Sequence, residues 1–359
     1  MLNDLRKYIA SRKDLWLPEI LILGSHSCQH LFPDSIVTHY TSWIPVVMNT
    51  IARADVVFID VSSPLEVLKS LEKALPTLQL IHIVDRLRSQ ESEVIQQWGF
   101  VEVSPQLFLK EQQIDVVIPL GPHDVGMIES VVRAVKKNIC FLSRIYIITP
   151  SGMDTPECSR DERVILVPEH IFPFQKEDVA EIHGTRERNG WYLQQLLKLY
   201  AGMCISGIRS DYLVIDADTI FVRPLYFKTL EGAYIYTKSD EHHQPYYQHL
   251  ERLHPVFKGK EWRASGIAHH MIMNTRQNQQ LFRLVESHHD KPFWKAFLEC
   301  VDEQHRDHSG ASEYEMLFHY GVEHWNVRVR TLRWMNRYPY GSMNMVDYYS
   351  DHWYSRNNV

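Results

Sequence analysis

Apolar positions in this chain gather into short continuous runs set between longer stretches with helical spacing. Runs at residues 18–24, 55–60, 78–85, 114–119, 144–149 and 212–215 carry almost no polar interruption. A strand that shows one apolar face alternates, whereas a continuous run predicts a strand covered on both faces, as in a parallel sheet under helices. Residues 63–75, 127–137 and 190–200 space their apolar side chains for helices. A further strand is predicted within 265–274, then a helical stretch to Cys300 and a C-terminal region rich in Trp and Tyr. The pattern is α/β in two parts. Residues 1–110 form a small Rossmann-like α/β domain with no readable role, since Gly24-Ser-His-Ser is neither GxGxxG nor followed by a Walker sequence. Residues 111–359 form the second domain.

A length of 359 residues is comfortable for two domains. Apolar content of 45% and charged content of 23% are those of a globular chain. A net charge of −6 argues against a nucleic-acid partner, whose footprint would be basic. The five cysteines are odd in number and lack CxxC spacing, which predicts free thiols in a reducing compartment. The first residues are charged rather than signal-like, and no apolar run reaches the roughly 18 residues of a membrane span. The expectation is a cytoplasmic protein without a transmembrane segment. Its basic, aromatic stretch 328–337 would be the place for peripheral membrane contact, against the plainer reading of a solvated face.

Most of the chemical information lies in Asp211-Tyr-Leu-Val-Ile-Asp216-Ala-Asp218. A buried strand here delivers two carboxylates, one residue apart and therefore on one side of an extended segment. Ala217 between them lets a ligand approach the backbone. Paired carboxylates suit a hard divalent cation whose shell phosphate oxygens complete. Open α/β sheets bind ligands at the carboxyl ends of their strands, so the position suits the chemistry. The same letters fit the motif of haloacid-dehalogenase-type phosphatases, with Asp216 as nucleophile. Those enzymes carry the motif on their first strand and need a later acidic pair, which this chain lacks.

With Asp115-Val-Val-Ile-Pro119, Trp191-Tyr-Leu-Gln-Gln-Leu-Leu-Lys198, Gly266-Ile-Ala-His-His-Met271 and Ser312-Glu-Tyr-Glu315 beside the DxD, residues 112–359 resemble the GT-A fold, DxD-dependent glycosyltransferases. The likeness is greatest to a group of bacterial and large-virus polysaccharide transferases. The resemblance implies a mixed, mostly parallel sheet and transfer of a sugar from a nucleoside diphosphate, UDP above all, to a hydroxyl of a glycan or glycolipid acceptor. It implies a divalent cation on Asp216 and Asp218 with His352 as third ligand, and imidazole favours Mn²⁺ over Mg²⁺. Pro119 and Asp124 would lie by the base or ribose, and Arg188, Gln194 and Lys198 by the sugar or diphosphate. Glu313 would be the base that deprotonates the acceptor in an inverting enzyme; a retaining one needs none. His269 and His270 share a predicted strand, so one of them faces the cleft, and with Trp191 they are the acceptor-side candidates. A non-catalytic sugar-binding module is the third possibility in class, separable by nucleotide and metal affinity.

Overall fold

The computed structural model describes residues 19–24, 36–40, 56–60, 80–83, 95, 100–104, 107–110, 113–229, 232–258, 264–339 and 343–352, the strands before residue 113 by their backbone. Two units result, one of residues 1–112 with 228–233 and one of 113–227 with 234–359. In the first, β1 (Glu19–Gly24), β2 (Ile36–Tyr40), β3 (Val56–Asp60), β4 (Leu80–Ile83), β5 (Phe100–Ser104) and β6 (Leu107–Lys110) form a sheet of order β2-β1-β3-β4-β6-β5. The first four strands in that order are parallel. The last two run antiparallel as an edge hairpin, which the apolar runs had not predicted. The helix expected over 63–75 lies outside the described residues.

The second unit starts on β7 (Ile114–Pro119), whose six residues are all buried. Its single acid, Asp115, is satisfied by the backbone N–H groups of Arg144 (3.1 Å) and Arg209 (2.7 Å), so a carboxylate survives inside an apolar strand. Helix α1 (Ile128–Asn138) returns the chain to β8 (Leu142–Thr149), and β9 (Val164–Pro168) extends the sheet. Helices α2 (Lys176–His183) and α3 (Asn189–Cys204) then lead back across to β10 (Asp211–Ile215). Short β11 (Thr219–Phe221) and β12 (Tyr234–Lys238) follow, then α4 (Gln244–Leu253) and β13 (His270–Asn274). Helices α5 (Thr275–His289), α6 (Phe293–Glu299) and α7 (Glu313–His324) precede β14 (Val327–Thr331), β15 (Trp334–Met335) and β16 (Tyr348–Ser350).

The central sheet has the order β13-β10-β7-β8-β9. Four strands are parallel and β13 is antiparallel to β10. This is a mixed, mostly parallel α/β sheet. The chain builds outward from β7 through β8 to β9, then crosses back to place β10 on the other side of β7. That reversal makes a crevice outside the carboxyl ends of β7 and β10, where such sheets bind ligands. Helix α3 packs on both of those strands. Tyr192, Leu196, Leu199 and Ala201 of α3 are fully buried, and each large apolar side chain so buried contributes about 1.5–3 kcal/mol. Trp191, Gln194, Gln195 and Lys198 lie three or four residues apart along an adjoining face of the same helix, and Arg188 immediately precedes it. Among the described residues, no helix is long and apolar enough to cross a membrane.

Candidate active site

Strand β10 ends at Ile215, and the next residues turn out of the sheet as Asp216, Ala217 and Asp218. The turn is fixed by Thr219 N–H donating to Asp216 O at 3.0 Å and by Asp216 N–H donating to His269 O at 3.0 Å. Strand β11 then pairs with β16 from the far end of the chain. Asp351 N–H donates to Asp218 O at 3.0 Å, which brings His352 beside the acids.

Each carboxylate has one oxygen anchored by the protein and one turned to an imidazole. Asp216 Oδ1 accepts from Lys198 Nζ at 2.5 Å and from the Tyr314 hydroxyl at 2.9 Å. Its Oδ2 lies 3.1 Å from His269 Nδ1. Asp218 Oδ1 accepts from Ser350 Oγ at 2.8 Å, and its Oδ2 lies 2.8 Å from His352 Nδ1. The two rings sit 5.1 Å apart, and the Nε2 atoms of His269 and His352 meet one acceptor, Asn336 Oδ1, at 3.0 and 3.2 Å.

Charge in this cluster is paired rather than isolated. Lys198 also donates to Glu313 Oε1 at 2.6 Å, and its ammonium lies 4.5 Å from the centre of the Tyr314 ring. Burial opposes the charge on Lys198, but the two carboxylates outweigh it and raise its pKa. Burial likewise opposes ionisation of Asp216, yet Lys198 and His269 hold its carboxyl below the usual range. Asp218 is lowered too, the His352 hydrogen bond overcoming burial. Glu313 moves the other way: burial raises it, and Lys198 offsets only part of the rise.

The remaining sequence candidates fall at different distances from this centre. Gln194 reaches the turn after β7, where a Cβ on Gly121 would stand 2.8 Å from Gln194 Nε2. Pro119 closes β7, and Asp124 lies in the short turn that follows. Arg188 donates to Ser309 Oγ at 2.8 Å and covers the Trp191 ring at 4.9 Å, so these two residues support each other on the rim. His270 turns into the core, its Nε2 3.0 Å from Thr237 Oγ1, with Phe221, Phe227 and Tyr348 around the ring. Only His269 of the pair reaches the carboxylates, which corrects the expectation of an acceptor-side role for His270. Its neighbour can do so because His269 adopts a left-handed backbone, φ 57°, before the strand begins.

Four further residues went unnoticed in the sequence. Tyr314 and Ser350 donate to the two acids, Asn336 bridges the imidazoles, and Gln195 accepts from Glu313 N–H at 3.1 Å. Ser350 stands two residues before His352, the spacing that puts both on one side of an extended segment, and that signal was legible. Nothing local marks Asn336. Glu315, next to the candidate base, is structural: it accepts from Ser265 Oγ (2.5 Å) and Gly266 N–H (2.9 Å) and so pins the loop that carries His269.

Two carboxylates and two imidazoles are a donor set that fits Mn²⁺ or a similar divalent ion. They stand as two pairs, and among the described residues no three His, Cys, Asp or Glu side chains are already gathered into a metal cage.

Solved structures with some likeness include mouse xyloside xylosyltransferase 1 in its apo form, with 10% identity and a TM-score of 0.39 over 67% of this chain and 97% of that one. An active-site mutant of LgtC shows 12% identity and a TM-score of 0.38, covering 66% and 87%. Galactosyltransferase LgtC in complex with donor and acceptor sugar analogs shows 14% and 0.37, again covering 66% and 87%. No curated protein matches the chain. A family model described as a family of unknown function, DUF6492, matches residues 103–337. That match spans more than half of the chain, and the protein belongs to this family.

Proposed function

We propose that residues 113–227 and 234–359 form a GT-A-type glycosyltransferase that moves a sugar from a nucleoside diphosphate, UDP foremost, to a hydroxyl of a glycan or glycolipid. The observation that carries the reading is Asp216 and Asp218 at the strand-order reversal, with one oxygen of each held by the protein and the other left toward His269 or His352. Asp216, Asp218 and His352 would hold a divalent cation, and such an ion neutralises charge on a departing diphosphate. Pro119 and Asp124, at the end of β7, would flank the base or ribose. Gln194 and Lys198 lie four residues apart on α3, between that turn and Asp216, along the path a nucleotide sugar would take.

Glu313 is the candidate general base. Its carboxyl is raised by burial, which is the direction a base needs in order to take a proton near neutral pH. Lys198, 2.6 Å away, offsets part of that rise. Trp191 and Arg188 on the rim offer an aromatic face and a cation to the sugar acceptor. The phosphatase reading is less well supported. Asp216 would be its nucleophile, yet both of its oxygens already have partners, and its strand is the fourth of this unit rather than the first.

Thermal unfolding with UDP, GDP and CMP, each with and without Mn²⁺, tests the proposal. A ligand near 100 times its Kd adds about 2.7 kcal/mol to the native state. The expected result is a Mn²⁺-dependent rise with one nucleotide that Asp218→Asn abolishes. No rise with any nucleotide contradicts the proposal.

A further inference from the structure

Positive charge collects at the start of α3 and finds little to balance it there. Arg186 and Arg188 come from the turn between α2 and α3, and Arg306 from the segment before α7. Arg186 Nε donates to His183 O at 2.6 Å and Arg306 Nη1 to Ile182 O at 3.1 Å. Both therefore serve the last carbonyls of α2, where a cation is favourable. Arg186 also pairs with Asp307. Arg188 has no such account. It is the N-cap residue of α3, whose first turn holds no acid, and the positive end of a helix disfavours a cation. Among the described residues, neither Arg188 nor Arg306 has a carboxylate partner. Asp302 pairs with Arg252, and Glu187 and Glu303 are exposed.

Neutral groups hold the Arg188 guanidinium in place. It lies 4.9 Å from the centre of the Trp191 ring, and Nη2 donates to Ser309 Oγ at 2.8 Å. That uses one of its five N–H donors and leaves an edge able to grip a carboxylate at two points. Ser309 leads on to the candidate base. Its side chain also hydrogen-bonds with the Tyr246 hydroxyl, and the charges of Arg188 and Glu313 both act on Tyr246. In the chain, Ser309 stands four residues before Glu313. The diphosphate end of the site is farther off. Arg188 precedes Lys198 by ten residues, about 15 Å along the axis of α3. The cation therefore stands on the acceptor side of the base and not beside Lys198 and Asp216.

We propose that the acceptor is an acidic glycan, and that Arg188 binds the carboxylate of its uronic or other acidic sugar while a hydroxyl of the same glycan stands at Glu313. The inference rests on the glycosyltransferase reading of this site and narrows its acceptor. Arg306 adds to the positive potential. Its Nε is buried without a hydrogen-bond partner, and its charge and that of Arg188 both act on the Tyr192 hydroxyl. The chain as a whole carries a net charge of −6 and repels an anion, so a local positive rim selects where an acidic glycan settles.

The test is binding of the full chain to immobilised oligosaccharides that end in glucuronate or sialate. Each stands beside its carboxyl-reduced counterpart and a phosphate-ended analogue, and wild type, Arg188→Gln and Arg188→Lys are compared. Wild type is expected to bind an acidic glycan about 10–100-fold more tightly than its reduced counterpart, the worth of a charge-assisted hydrogen bond. Arg188→Gln is expected to lose that preference. Arg188→Lys keeps the charge without the planar fork and should keep only part of it. A preference that survives in Arg188→Gln makes the arginine structural and overturns the assignment. Equal binding of acidic and reduced glycans by wild type, or tighter binding of the phosphate-ended ones, overturns it without recourse to a variant. Failure of wild type to bind any of the glycans overturns it as well. The Mn²⁺-dependent rise in melting temperature with a nucleotide then decides separately whether the glycosyltransferase reading stands.

Discussion

Lys198 stands 2.5 Å from Asp216, so the first acid of the DxD motif is neutralised from inside the protein, by the helix that precedes its strand. The same ammonium holds Glu313, and all three groups are half-buried or buried. Removing one partner of a buried ion pair strands the other charge and costs about 3–5 kcal/mol. Lys198→Ala is therefore expected to lower stability by that amount in urea denaturation. Mn²⁺ should restore part of the loss in this variant and less in wild type, because the cation replaces a missing positive charge. A loss independent of Mn²⁺ would argue that Asp216 does not face the metal.

Glu313→Gln keeps the shape and the position at the start of α7 but cannot take a proton. If Glu313 is the base, kcat for transfer falls by about 10²–10⁴-fold. The nucleotide-dependent rise in melting temperature should survive, since Gln still accepts from Lys198. A variant with wild-type kcat assigns transfer to a route that needs no base, and product stereochemistry would then show retention.

Gly266 is required by close approach. A Cβ there would stand 2.4 Å from Phe318 Cβ and 2.6 Å from the Tyr314 carbonyl. Overpacking of this kind costs about 1–3 kcal/mol. Gly266→Ala is expected to show that loss and also weaker Mn²⁺ binding, since the displaced loop carries His269, whose carbonyl accepts from Asp216 N–H. Urea denaturation and metal titration on the same variant check both effects.

The pattern of legibility in the sequence follows from locality. The apolar runs located β7, β8 and β10 because a strand covered on both faces carries few polar residues to confuse the period. β9, with the equally short run Val164–Pro168, was missed, as were the brief pairings of β11 with β16, more than a hundred residues away, and of two-residue β15 with β16. Asp216 and Asp218 were legible because spacing alone puts them together. That Lys198 joins Asp216 to Glu313 was not, because three separate elements meet there. Asn336 carries no local signature at all; its role exists only once β16 has brought His352 back to the DxD.

Stability should depend on pH through His249, buried beside Phe297. It is fully buried, and its Nε2–H donates to Phe297 O at 2.8 Å. Burial lowers its pKa from 6.5 to about 4. A depressed folded-state value means that the neutral form stabilises the fold. The contribution is complete above pH 6.5 and is lost as pH falls from 6.5 toward 4, on the order of 3 kcal/mol in all. His183 and His270, also lowered by burial, act in the same direction. Denaturation midpoints at pH 7.5, 6, 5 and 4.5 should fall in that order for wild type and fall less steeply for His249→Gln.

The most direct test of the glycosyl-transfer proposal is release of nucleoside diphosphate from a panel of nucleotide sugars incubated with the full chain and Mn²⁺. The account predicts turnover of donors that share one base, UDP foremost, with slow hydrolysis where no acceptor is present and none by Asp218→Asn. A folded, Mn²⁺-loaded wild type that consumes no nucleotide sugar, with or without glycan acceptors, would contradict it.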